Sequence, residues 1–482
     1  MKIENKKKIL LVVGAGGSVE TGYPSVSQLN KIIENELMQS DEKLSRLYTI
    51  IKDILINKED KKKKRLGIVR NKLLLLFCKY EEENIITNSE REDLGNEIQK
   101  LFTCLGLSEC SFNQAIIFLK EYMMREENIK YGMKKKINED IEKIINNFTN
   151  FEEIAYVCLK LFSYSGYNGE DTPVMEGFLN IKDYQNLSEF KGLDFEKLYK
   201  KITKIAIKVL SKNIENIENI ENFNKIKEFY RKLKENFEIG IVTTNYDPLL
   251  YTVFPKFFIG FNEETKKFLS KEVWNRQKWE FLYHIHGSIY NKKTESDEII
   301  WDEKGLINTR EIINDSKQQR EGGERIIRQS VIIGYDKQQQ IMYNPFKTFF
   351  AKLNQLVMEA DGVVFIGYGF NDIHLNATFE DFRDKEKKKV VVIDWFENWE
   401  DKNGIIQTNR LENDSERHKK YCYCFGLCSP YMSKKLQEGE VEYHTKNENP
   451  DNINYETIIY KLGLVSATEH IDEMIKFLND KN

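Results

Sequence analysis

The N-terminal part of the chain alternates sharply between apolar runs and glycine-bearing turns. Ile9-Leu10-Leu11-Val12-Val13 is an unbroken apolar run that stops at Gly14-Ala15-Gly16-Gly17-Ser18. A short run without alternation, closed by glycines, predicts a strand buried on both faces. Pro24 and Ser25 then signal a helix start. Val26, Leu29, Ile33 and Leu37 follow at helical spacing and predict one apolar stripe. From about residue 40 to 235 the pattern changes to long Lys/Glu/Ile/Leu/Asn segments with few prolines, which predicts a mostly helical region. Within it Ile214-Glu215-Asn216 recurs as a triplet through Asn222. That period fits no packed helix and predicts a surface extension.

Beyond residue 236 short apolar runs return at Ile239–Thr243, Phe281–His286, Val363–Ile366 and Val390–Ile393. Most end in Gly, Asn or Asp, and helical patterns separate them. Buried strands alternating with helices predict an α/β fold with a Rossmann-like, doubly wound parallel sheet. The expected organisation is one domain over 1–400, interrupted by a large helical insertion at 40–235, and a short C-terminal extension over 401–482. The extension is polar, contains Pro430 and Pro450, and has few strand-like runs.

Charge narrows the function classes. The 482 residues carry 73 Lys and Arg against 77 Asp and Glu, a formal net charge of -4. Without a large basic field, no direct nucleic-acid binding and no membrane surface is expected. Lys61-Lys62-Lys63-Lys64-Arg65 reads as a solvated helix face or loop. No apolar stretch approaches the ~20 residues that span a bilayer. The N-terminal apolar run is too short for a signal peptide. Seven cysteines in so long a chain describe no disulfide framework, so a cytoplasmic location is expected. Cys422, Cys424 and Cys428, with His418 nearby, make C-x-C-x3-C and not the paired C-x-x-C knuckles of a zinc ribbon. No metal is expected.

Four segments carry chemistry. Gly14 to Ser18 lies between a strand and a helix, where glycines let the backbone approach a pyrophosphate. A dehydrogenase fingerprint would place Gly or Ala at position 19, which is Val19 here, so hydride transfer is not expected. Ile241-Val242-Thr243-Thr244-Asn245-Tyr246-Asp247-Pro248 is an apolar strand ending in hydrogen-bonding side chains, where open α/β sheets bind ligands. The same residues also terminate strands and start helices in ordinary turns. In Tyr283-His284-Ile285-His286-Gly287-Ser288, alternation places both histidines on one side of a strand. His286 before a glycine suits a general base, and a structural histidine is the plain alternative. Val364 to Asp372 runs from a strand into a glycine-bearing turn, with Asp372 as an N-cap. The strand Val390 to Ile393 ends in Asp394, an acid that could meet a ribose hydroxyl.

Taken in order, GAG-x-S with downstream Gly22-Tyr23-Pro24-Ser25, then T-T-N-Y-D, H-x-H-G and F-I-G-Y-G-F-x-D, resemble the sirtuin-like domain of bacterial anti-phage NADases. The resemblance covers about 1–35 and 236–400 of the chain. It implies that Asn245 is the catalytic asparagine and His286 the catalytic histidine, with Asp247 on the nicotinamide side. It also assigns Gly14, Ala15, Gly16 and Ser18 to the phosphate turn. Gly367, Tyr368, Gly369 and Phe370 fall in the ribose-side loop, and Asp394 near the adenosine-binding strand end. Two departures count against lysine deacylation. The four-cysteine zinc module of protein deacylases has no counterpart. The arginine that follows Gly-x-Pro in deacetylating sirtuins is also missing, since Tyr23-Pro24-Ser25-Val26 stands there.

The resemblance therefore implies an NAD glycohydrolase that cuts the nicotinamide–ribose bond, with NAD as substrate and no metal, acting in anti-phage defence by abortive infection. It further implies a homo-oligomer gated by an activating protein partner such as a HerA-type ATPase, a short Argonaute or a phage protein. A non-catalytic NAD- or nucleotide-sensing subunit and a sirtuin-type deacylase are the alternative readings.

Overall fold

The computed structural model describes residues 6–55, 151–164, 187, 189–211, 221–294, 296, 298–303, 313–319, 325–333, 341–370, 372–379, 388–395, 398–400, 406–408, 441–444 and 457–480. The chain divides into two compact units. The first comprises Met1–Ser45, Phe151–Met175 and Ser188–Asn482, and the second Arg46–Asn150 with Glu176–Leu187. Everything below concerns the first unit.

Its frame is one sheet built from β1 (Lys8–Val13), β2 (Glu238–Thr243), β3 (Glu280–His284), β8 (Gly362–Ile366), β9 (Lys389–Ile393), β12 (Val441–His444) and β13 (Thr457–Tyr460). Two-stranded ribbons account for β4 (Asn291–Lys293) with β5 (Ile299–Trp301), β6 (Ile313–Gln319) with β7 (Arg325–Gln329), and β10 (Asn398–Glu400) with β11 (Ile406–Thr408). The sheet order is β12-β13-β9-β8-β1-β2-β3. Six of these strands run parallel, and β12 joins β13 antiparallel at the edge. From β1 the chain winds outward through β2 and β3, then returns to β8 on the other side and continues to β9 and β13. That is the Rossmann-like doubly wound order, with its topological switch point between β1 and β8.

The strands are apolar throughout because both faces are covered. Leu10, Val12, Val242, Phe281, Tyr283, Val363 and Phe365 share one core with helix Phe346–Glu359, through Phe349, Leu353, Leu356 and Val357. The alternate residues Ile9, Leu11, Val13, Ile239, Ile241, Leu282, Val364 and Ile366 face helices Glu221–Asn236 and Ile471–Asn479. Burying each such side chain contributes about 1.5–3 kcal/mol, and a strand covered on both sides gains it at every position. Helix Gly192–Ser211 packs against helices Val26–Ser40 and Phe151–Tyr164 as a separate helical layer of this unit.

Several expectations shift at the level of residues. Ser25 caps helix Val26–Ser40 in a full capping box with Gln28, and Leu29, Ile33 and Leu37 are buried; Val26, at the first helical position, is 40% exposed. A short helix, Gly16–Val19, follows the N-terminal turn before that helix begins. β3 ends at His284, so His286 lies beyond the strand and not on its face. Residues 457–460 (TIIY) are a buried strand of the main sheet, so the chain after 401 contributes a strand between β12 and β9. The Lys61–Arg65 run, residues 214–220 of the triplet segment, and His418, Cys422, Cys424 and Cys428 lie outside the described residues, while the segment's last two residues, Glu221 and Asn222, open helix Glu221–Asn236. No described helix is long and apolar enough to cross a membrane.

Candidate active site

At the switch point the loops after β1 and β8 are in backbone contact. Gly14 N donates to Ile366 O at 3.0 Å, and Gly16 N to Gly367 O at 3.0 Å. A Cβ on Gly14 would lie 2.7 Å from Gly367 O, and one on Gly367 would lie 2.1 Å from Gly17 N. Gly367 also has a left-handed φ of 56°. These glycines are demanded by loop-against-loop packing before any ligand is considered. Ala15, at the mouth of the turn, and Gly16 are exposed, while Ser18 is buried beneath them.

The end of β2 is tied into this turn. Thr243 Oγ1 donates to Val13 O at 2.9 Å and accepts from Asn245 N at 3.0 Å. Asn245 is 5% exposed, and its Nδ2 donates to Gly14 O at 2.9 Å and to Ser18 Oγ at 3.0 Å. A carbonyl can only accept, so the contact with Gly14 O fixes which end of the carboxamide is the NH2. The other end, Oδ1, is buried with no donor among the described residues. Buried polar atoms are rarely left so, and at a sheet's carboxyl edge an unmatched acceptor is a place for a ligand hydroxyl or water.

Asp247 lies just beyond, also 5% exposed. Its Oδ1 accepts from Leu249 N at 3.1 Å, starting helix Leu249–Val253. Burial pushes its carboxyl up to about 6, against the lowering effect of hydrogen bonds from Leu249, Ser18 and Asn245. The neighbouring Tyr23 phenol is pushed up by burial and then by the Asp247 charge. A buried carboxyl whose pKa is pushed up beside other polar groups is a common mark of function.

His284 and His286 do different jobs. His284 Nδ1 is 3.1 Å from the backbone oxygen of Asn245, so this nitrogen carries the proton. Burial lowers the His284 pKa to about 4, which the carbonyl contact only partly opposes, and the ring stays neutral. His286 follows the strand, fixed by Ile332 N donating to its carbonyl at 2.8 Å and by Gly287, whose φ of 93° turns the chain. A Cβ at Gly287 would lie 2.9 Å from Ser330 O. The His286 ring is 2% exposed, with Phe350 6.4 Å away in stacked orientation and Asp372 Oδ2 2.8 Å from Nε2. The two groups are within ion-pair distance, and the contact carries charge on both sides only when the ring is protonated.

Asp372 comes from the loop after β8. Tyr368 packs its ring with Phe365 and Phe370 in the core, and its hydroxyl donates to Asn376 Oδ1 at 2.8 Å. Asn376 Nδ2 donates to Phe370 O at 2.9 Å. Tyr368 thus stiffens the loop from within, whereas Gly369 is exposed. Asp394, 8% exposed, accepts from Trp395 N through its Oδ1 at 2.8 Å. Its backbone is tied to Tyr460 and Gly463. The structure therefore brings Gly14, Ser18, Asn245 and Asp247 into one hydrogen-bonded group. It places His286 beside Asp372, two residues past the β3 end that pairs with the end of β2. Asp394 stands at the end of β9, two strands from β1, beside Gly367 through the bond of Gly367 N to Ile393 O. Among the described residues no group of three or more His, Cys, Asp or Glu side chains is arranged to hold a metal ion.

The sequence reading missed His284 as the anchor of Asn245 and Asp372 as the partner of His286. The H-x-H spacing and the N-cap signal pointed to the residues, but not to these roles.

A Rossmann-like sheet with polar groups gathered at its switch point defines a nucleotide-binding class of fold. Residues 240–414 match the family model of the SIR2-like domain. A search of curated proteins found no match. The SIR2-like match begins within β2, covers β3, β8 and β9, and includes Asn245, Asp247, His284, His286 and Asp372. It associates the chain with NAD-consuming chemistry.

Proposed function

We propose that the protein hydrolyses NAD at the nicotinamide–ribose bond. The observation that carries this reading is the buried Oδ1 of Asn245, which has no donor among the described residues and is held at the switch point by Gly14 and Ser18. An acceptor there suits a ribose hydroxyl or the attacking water, and Nδ2 is already committed to the protein.

In this reading NAD would lie at the strand ends, with its pyrophosphate along the turn Gly14, Ala15, Gly16 and Ser18. The ribose would lie toward Gly367 and Gly369, the nicotinamide toward Asp247, and the adenosine toward Asp394. Cleavage passes through an oxocarbenium-like state, as at other glycosidic bonds. The electron pair of the C–N bond leaves with nicotinamide, which departs as a neutral ring and needs no general acid. Asn245 orients the water whose oxygen bonds the anomeric carbon, and His286 takes its proton. Nicotinamide, ADP-ribose and a proton result.

The defence role is part of the same proposal and rests on the motif resemblance. So does the expectation that an oligomer or a protein partner controls activity, since an unrestrained NADase would exhaust its own cell. The experiment is product analysis in water enriched in oxygen-18. Nicotinamide and ADP-ribose carrying one labelled oxygen are expected. Turnover only in the presence of an acetylated peptide would overturn hydrolysis in favour of deacylation. Binding of NAD without cleavage would overturn it in favour of sensing.

A further inference from the structure

We propose that Asp372 is the positioning residue of His286, fixing which ring nitrogen is protonated; this rests on the reading of His286 as the base. The Asp372 carboxylate is divided between two tasks. Oδ1 accepts from His374 N and Leu375 N, both at 3.1 Å, and so caps helix Ile373–Ala377. Oδ2 is 2.8 Å from His286 Nε2, and the two side chains are 6% and 2% exposed. A carboxylate only accepts, so it draws the ring proton to Nε2 and puts the basic lone pair on Nδ1. It also stabilises the imidazolium that forms when the base takes its proton. Hydrogen bonds of this kind are often loosely aligned until substrate is in place.

The preceding loop is built to hold this position. Gly367 and Phe370 both adopt positive φ, 56° and 52°. The hydroxyl of Tyr368 contacts Asp372 O at 3.3 Å and Asn376 Oδ1 at 2.8 Å. A surface cap would need none of this. The loop carries the carboxylate from β8 to a histidine that follows β3, on the opposite side of β1 in the sheet.

The division of labour makes the test sharp. Asn caps helices as well as Asp, provided its oxygen faces the backbone N–H groups. In Asp372→Asn that requirement turns the NH2 toward His286 Nε2, which must then give up its proton and carry the lone pair. The ring is forced into the wrong tautomer with the cap intact. Asp372→Ser keeps a capping oxygen and removes the partner.

The experiment uses the full chain labelled with nitrogen-15 histidine. The His286 signals, among six histidines, are assigned by their loss in His286→Gln. Nε2 protonated in the wild type and unprotonated in Asp372→Asn is expected. Kinetically, kcat for NAD should fall about 100-fold or more in Asp372→Asn, with KM changed only a few-fold and the thermal midpoint held. Asp372→Ser should also lose kcat. The same Nε2 state in both chains, or wild-type kcat in either variant, overturns the proposal. If the wild type cleaves no NAD, hydrolysis fails as the function, while the nitrogen signals still decide the role of Asp372.

Discussion

His284 Nδ1 stands 3.1 Å from the backbone oxygen of Asn245, joining the end of β3 to the residue whose side-chain oxygen is unmatched among the described residues. The ring is neutral because burial lowers its pKa to about 4, so it is a fixed donor and not a proton shuttle. Removing that donor while keeping the volume, in His284→Phe, should let the Asn245 backbone drift. Small misplacements of a positioned group cost about 10- to 100-fold in rate. His284→Asn, whose amide can restore the donor, should recover part of it. Equal activity in wild type and His284→Phe would remove this anchor from the scheme.

Asp247 and His284 pull stability in opposite directions with pH. The Asp247 carboxyl rises on folding from 3.8 to about 6, so its contribution is present below 3.8 and lost as pH climbs through 6. The His284 ring falls from 6.5 to about 4, so its contribution is present above 6.5 and lost as pH drops through 4. Asp247→Asn should gain on wild type by about 1 kcal/mol more at pH 8 than at pH 5. In His284→Phe the difference from wild type should move about 2 kcal/mol in its favour between pH 7 and pH 5. Urea unfolding at these pH values measures both. Parallel pH curves for all three chains would show that neither group is perturbed by burial. Asp247→Asn should also be slower on NAD, the usual exchange where a strained charge serves a site.

Gly367→Ala tests whether the paired loops are a structural unit. The added methyl would sit 2.1 Å from Gly17 N, and the φ of 56° disfavours any side chain. Backbone atoms cannot swing aside as a flexible side chain can. A loss of at least about 2 kcal/mol is expected in chemical denaturation. A stability loss below 0.5 kcal/mol would mean that the two loops separate easily, on the order of an ordinary surface change.

Much of the sheet was legible because Ile9–Val13, Ile239–Thr243, Val363–Ile366 and Val390–Ile393 are short, mainly apolar and closed by turn residues, the mark of strands covered on both faces. Thr457–Tyr460 was not, because four residues after a polar stretch give no periodicity to read. The end of β3 was placed two residues late, since nothing in Tyr283 to His286 marks where the hydrogen-bonded ladder stops. Asn245 and His286 were singled out from the motifs that follow β2 and β3. Their partners were not. Asp372 looks like an N-cap, and is one through Oδ1, but its second oxygen meets a residue 86 positions away. Tyr368 was assigned to the ribose-side loop by the motif resemblance, and its ring packs in the core. Such contacts depend on strand order, which local pattern does not encode.

Nicotinamide release by the purified chain, compared among wild type, Asn245→Ala and His286→Ala at saturating NAD, decides whether this cluster is a hydrolytic centre. Candidate activating partners are included so that a gated enzyme is not scored as inactive. The wild type should release nicotinamide in step with ADP-ribose. Each variant should keep the wild-type fold by circular dichroism and fall about 100- to 10,000-fold in rate. Wild-type release of nicotinamide by either folded variant would contradict the assignment of Asn245 and His286.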